Sequence, residues 1–170
     1  MPLEHGRYRG LLYRALNPVY ARAPLSGRGA AIHGGRFNQK GRETLYASLT
    51  PDTALREANQ VGTLQPTTLV AYRADIGPLL DSRDDDALAP YGLDQATLGA
   101  PDWRIRMLTN ETVPTQNLAE RLIADGFAGL IVRSFARGAT DHSLNLVLWR
   151  WNTRDDDRLE LIDDEGRLSD

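Results

Sequence analysis

The sequence predicts an α+β fold, with one domain built on a largely antiparallel β core and flanking helices. Three observations carry this reading. Candidate strands outnumber candidate helices. The two kinds do not alternate regularly. No G-x-G-x-x-G follows a strand and no P-loop lysine motif is present, so a doubly wound nucleotide-binding sheet is not expected. The chain is read as a single domain over residues 1–170, with 41% hydrophobic residues to build a core. A chain of that size buries about two-thirds of the surface that its unfolded form exposes.

The elements follow from periodicity and punctuation. Residues 10–15 read as a first strand, with Leu12 and Arg14 on one face and Leu11 and Tyr13 on the other. Residues 24–35 are glycine-rich and read as a loop; residues 44–48 form a second short strand. Thr50 is then a good N-cap, and Pro51 takes the first helical position, where its missing N–H costs nothing. That helix is expected to run to about Val61 and end near Gly62. Residues 67–75 alternate as a strand, and residues 81–107 read as loop with short helices. Residues 115–125 form a helix with Leu118, Leu122 and Ile123 inward and Gly126 as terminator. Residues 129–133 and 144–151 are apolar enough for central strands, and residues 159–162 fit a last edge strand.

Composition removes several function classes. A net charge of −3 argues against a nucleic-acid binder driven by bulk electrostatics. The absence of cysteine excludes disulfides and thiolate metal sites, and His5, His33 and His142 are scattered without metal-ligand spacing. No metal is therefore expected. No run approaches the roughly 18 apolar residues of a membrane helix. Residues 1–10 lack the apolar stretch of a signal peptide, so a cytoplasmic protein is expected. Charge is uneven: Arg7, Arg9, Arg14, Arg22, Arg28, Arg36, Lys40 and Arg42 face one acid, Glu4, over the first 42 residues. That excess fits either a local anion site or a set of solvated arginines. The acidic runs at residues 84–86 and 155–157 read as solvated loops or cation-attracting clusters.

The residues able to carry chemistry lie mainly between Arg14 and Glu57. Gly34 and Gly35 permit close backbone approach to a ligand, with amides that can point at an anion. Arg36 follows them and has the fork geometry for phosphate, with Phe37 beside it. The plainer reading is a glycine turn with an incidental arginine. At 100° per residue, Glu57 falls on the inward margin of its helix beside Ala54, Ala58 and Val61, whereas Arg56 and Gln60 point away. A carboxylate edging into a core needs a partner or a job. Tyr46 suits stacking or hydroxyl donation, or simple core packing. Arg14 sits in an apolar strand and should face a cleft or a pair. Ser134 ends a strand and faces a site or begins a turn; no G-x-S-x-G elbow surrounds it.

The ordered set is more specific than its parts. It runs Tyr13-Arg14-Ala15, Gly34-Gly35-Arg36-Phe37-Asn38 with Gly41, Leu45-Tyr46-Ala47-Ser48, Ala54-Leu55-Arg56-Glu57, Arg133-Ser134 and Asn145-Leu146-Val147-Leu148. This set resembles the RES domain family, the toxins of RES–Xre toxin–antitoxin pairs. The resemblance spans residues 13–149, with little from 81–110. It implies a fold similar to diphtheria-toxin-like ADP-ribosyltransferases and an enzyme that takes NAD⁺ as its substrate. Some members pass ADP-ribose to a protein, others to water or phosphate. By the same resemblance Arg14 and Arg36 match the family's arginines, Tyr46 its tyrosine, Glu57 its glutamate and Ser134 its serine. Phe37 stands where many relatives carry tryptophan, and the surroundings of Ser134 are looser than the family pattern.

The mechanism this suggests is cleavage of the nicotinamide–ribose bond through an oxocarbenium-like state. Arg14 and Arg36 hold phosphates with help from the backbone at Gly34 and Gly35. Tyr46 packs on the nicotinamide or its ribose, Glu57 bonds a ribose hydroxyl and faces the developing cation, and Ser134 orients one of these groups. The implied partner is a helix-turn-helix, Xre-type antitoxin over the active site, with a homodimer inside the complex as one arrangement. Two readings compete with ADP-ribosyl transfer to a protein. One is NAD⁺ glycohydrolase or phosphorylase activity. The other is a non-catalytic nucleotide- or partner-binding module.

Overall fold

The computed structural model describes residues 2–60 and 62–168. Seven strands form one sheet: β1 (Tyr8–Leu16), β2 (Leu45–Ser48), β3 (Thr68–Ile76), β4 (Leu79–Asp81), β5 (Gly129–Arg133), β6 (Leu144–Leu148) and β7 (Arg158–Leu161), in the order β4-β5-β6-β2-β1-β3-β7. All neighbours pair antiparallel except β4 with β5, which are parallel. Around the sheet lie α1 (Arg28–His33), α2 (Pro51–Ala58), α3 (Asp85–Leu88), α4 (Gln95–Leu98), α5 (Trp103–Leu108) and α6 (Pro114–Ala124). The expected α+β architecture with an antiparallel core is present.

Strand alternation sends side chains to two separate apolar layers. Leu12, Tyr72, Ile131, Leu146 and Leu148 pack on one face, with Leu25 and Trp151 against them. Leu130, Val132 and Val147 point to the other, where Phe37, Leu88, Leu98, Leu118 and Leu122 cover them. The second layer carries the cavity described below, because α2 and α5 line its margin while α6 fills its centre.

Several elements differ from the sequence reading, each for a local reason. Residues 24–35 are not all loop: α1 forms there, and Gly34 ends it with a φ of 73°, a conformation open to glycine. Helix α2 is shorter than expected because the Asn59 side chain caps its last turn, donating to the Leu55 carbonyl at 2.6 Å. The expected end at Val61 lies outside the described residues. Strand β6 stops at Leu148, not residue 151, because the amides of Trp149 and Arg150 both donate to the Ala128 carbonyl and leave the ladder. Strand β4 was not foreseen, since three residues are too few to show a period of two.

Candidate functional site

The ladder between β1 and β2 holds a single pair, Tyr13 opposite Ser48. Around that point a cavity of about 350 Å³ opens, lined by β1, β2 and β6, by one face of α2, and by Trp103 and Arg104 of α5. Helix α2 begins where the sequence says: Thr50 caps it, with its Oγ1 accepting from the Thr53 amide, and Pro51 opens it. This start fixes the rotation of the helix, buries Ala54 and sets the half-buried Glu57 on the cavity wall.

Glu57 is the acid of the cavity wall. Its Oε1 accepts from Ser134 Oγ and from Asn145 Nδ2, each at 2.5 Å. Its Oε2 accepts from Gln60 Nε2. Ser134 is buried at the end of β5; its Oγ also accepts from the Ala136 amide at 3.2 Å. The Asn145 Oδ1 in turn accepts from Ser48 Oγ at 2.7 Å. The structure thus joins Glu57 and Ser134 directly. It also adds three residues that the sequence reading left without a role: Asn145, Ser48 and Gln60. Gln60 was expected to point away from this face; beyond the end of α2 the chain no longer follows helical periodicity, and its amide reaches back to Glu57.

Arg36 forms another part of the wall. Its Nη1 donates to the carbonyls of Leu98 at 2.9 Å and Ala100 at 2.8 Å. Its guanidinium lies 4.5 Å from the Phe135 ring centroid and 5.6 Å from that of Trp103, within cation–π range. Burial first, then the neighbouring Arg104 guanidinium, lower its pKa, while Glu57, Tyr46 and Asp102 act the other way. Arg104 stacks on Trp103 at 4.4 Å and also lines the cavity. The aromatic partners of Arg36 are therefore Phe135 and Trp103. Phe37, its neighbour in sequence, is buried in the core.

Tyr46 projects from β2 into the same space. Its hydroxyl accepts from the Phe37 amide at 3.1 Å and donates to Asn38 Oδ1 at 2.7 Å. Burial raises its pKa, against the smaller opposing pulls of the Phe37 amide and Arg36. The phenol is thus neutral and anchored, and its ring is what it offers to the cavity.

Gly34 and Gly35 do not present their amides to the cavity as the sequence suggested. The Gly34 N–H closes α1 on the Ala30 carbonyl at 2.8 Å, and the Gly35 N–H donates to the Asn38 carbonyl at 3.0 Å. Gly35 serves a different end. A Cβ there would sit 2.5 Å from both the Tyr46 hydroxyl and Asn38 Oδ1. The glycine makes room for the bond that anchors Tyr46.

Arg14 lines the cavity from β1, but its side chain shares the opposite sheet face with Leu12 and with Val70, its ladder partner. Its Nη1 donates to the carbonyls of Pro24 and Ser26, each at 3.1 Å. The wider basic excess is not gathered at the site either. Arg7 and Arg9 bond Asp75, and Arg42 forms a two-pronged pair with Glu120. Trp103 and Arg104 belong to residues 81–110, the stretch that the sequence left least legible. Short helices expose no periodicity from which they would have been found. Among the described residues, no group of three or more His, Cys, Asp or Glu is arranged to hold a metal ion, and no helix is long and apolar enough to cross a membrane.

The model of the RES domain family matches residues 11–169. A chain of the M. tuberculosis MbcT–MbcA toxin–antitoxin complex has a similar fold, with a TM-score of 0.66 at 20% identity, over 92% of this chain and 83% of that one. No curated protein matches the sequence.

Proposed function

We propose, from the premise that this chain belongs to the RES domain family, that it is the toxin enzyme of a toxin–antitoxin pair. Its reaction cleaves the nicotinamide–ribose bond of NAD⁺ and transfers ADP-ribose to a protein, arresting growth. The observation that carries the reading is Glu57: a carboxylate on a cavity wall, held by Ser134 and Asn145, in a cavity also lined by the ring-stacked Arg36. The similar fold of a chain from a toxin–antitoxin complex supports an antitoxin partner, which we propose to be a helix-turn-helix protein that covers this cleft.

In this mechanism the C1′–N bond breaks with its electron pair leaving on nicotinamide, which becomes neutral. Positive charge then develops on the ribose ring carbon and oxygen. Glu57 accepts a hydrogen bond from a ribose hydroxyl and stabilises that charge. The Tyr46 ring packs on the nicotinamide or its ribose. Arg36 holds the pyrophosphate; its two carbonyl bonds leave from Nη1, and a guanidinium carries five donors. Arg14, whose side chain lies on the opposite sheet face, braces β1 through the Pro24 and Ser26 carbonyls and takes no part in this clamp. An incoming nucleophile adds its lone pair at C1′ and gives up its proton.

NAD⁺ carrying a label in its adenylate half, added to lysate with the purified protein, tests the acceptor. Label on a discrete protein band is the expected result. Label recovered as free ADP-ribose or its 1″-phosphate refutes protein transfer and establishes glycohydrolase or phosphorylase chemistry. Label remaining in NAD⁺ refutes the enzyme reading and leaves a non-catalytic binding module.

A further inference from the structure

The two carboxylate oxygens of Glu57 have different company. Oε1 receives two donors from the sheet, Ser134 Oγ at the end of β5 and Asn145 Nδ2 on β6. Oε2 receives one, from the exposed side chain of Gln60. Asn145 is itself oriented. Ser48 is its ladder partner on β2, and the Ser48 hydroxyl donates to Asn145 Oδ1 at 2.7 Å. That bond decides which end of the amide faces Glu57. Turning the amide over would set its carbonyl oxygen against a carboxylate, two acceptors in contact. Ser48 and Asn145 sit on paired strands, so the orientation rests on rigid backbone.

We propose that Asn145 is a positioning residue for Glu57. With Ser134 it fixes Oε1, and Ser48 fixes Asn145. Oε2 is then the working oxygen that meets the ribose hydroxyl, once the Gln60 amide moves aside. The inference rests on the NAD⁺-cleavage reading, and it assigns the two oxygens separate duties within it.

Asn145→Asp keeps the shape and replaces the donor with a second carboxylate beside Glu57; Ser48→Ala removes only the orienting hydroxyl. Loss of a hydrogen bond to a charged group converts to about tenfold to hundredfold in rate. Asn145→Asp is expected to lower kcat by about that factor, and Ser48→Ala by about tenfold, with KM for NAD⁺ and the calorimetric affinity for ADP-ribose unchanged. A merely structural role would lower the melting temperature without this split between kcat and KM. If Asn145→Asp does not fold, Ser48→Ala decides alone. Wild-type kcat in the variants that fold, or a loss expressed only in KM, overturns the inference and leaves the reaction standing. Wild-type protein that consumes no NAD⁺ overturns the reaction and the inference together.

Discussion

Replacing Gly35 with alanine probes how the backbone builds the cavity wall. The added Cβ would lie 2.5 Å from the Tyr46 hydroxyl, 2.5 Å from Asn38 Oδ1 and 3.1 Å from Tyr46 Cζ. The φ of Gly35 is not positive, so the backbone tolerates alanine and the effect is one of space. Relief requires moving the Tyr46 hydroxyl off the Phe37 amide and Asn38, or moving Asn38. Asn38 is fully buried, and its Nδ2 donates to the carbonyls of Ala30, Gln39 and Arg42. Two weakened hydrogen bonds at about 1 kcal/mol each, with overpacking of about 1–3 kcal/mol, give a destabilisation of roughly 3–5 kcal/mol. For a chain of this length that is a fall in Tm of about 6–20 °C. Thermal and urea unfolding followed by circular dichroism measure it. Tyr46→Phe removes one of the clashing atoms, so the double variant should lose about 1 kcal/mol less than the two single losses combined. A Gly35→Ala protein within about 0.5 kcal/mol of wild type would refute this account of the glycine.

Two other outcomes test separate parts of the structure. Arg36→Ala removes the guanidinium that Phe135, Trp103 and two carbonyls hold in place, and should weaken NAD⁺ binding by about tenfold to hundredfold in calorimetry; unchanged affinity would remove Arg36 from the phosphate site. At the end of β4, burial pushes the Asp81 carboxyl up, but hydrogen bonds and charge from Arg83 outweigh it and leave its pKa below the usual value. A depressed carboxylate pKa contributes stability above the unfolded value of about 3.9 and loses it as pH falls through the folded one. The stability difference between wild type and Arg83→Gln should therefore be full near neutral pH and shrink below about pH 4; a difference independent of pH down to about pH 2 would contradict this.

Much of the fold was legible because strand alternation and helix punctuation are local signals. Thr50 and Pro51 fixed the start of α2, and from it the inward margin on which Glu57 lies. The same periodicity failed at Gln60, where the helix had already ended. The pairing of Leu12 with Arg14 on one strand face was also correct. Which of the two layers that face served was not, because a single strand does not reveal which side its neighbours leave open. Trp103, Arg104 and Phe135 were given no role since they reach the cavity from the short helix α5 and the loop after β5, whose placement depends on tertiary packing. Asn145 stood in the ordered set without a role, because one polar residue in an apolar strand carries no label for its partner 88 positions away.

The central claim is that Glu57 drives cleavage of NAD⁺. Nicotinamide release by purified wild-type protein and by Glu57→Gln, with matched unfolding curves, measures it most directly. The account predicts turnover by wild type and a loss of at least about hundredfold in Glu57→Gln, which keeps the shape and removes the charge. Turnover of Glu57→Gln at the wild-type rate would contradict it.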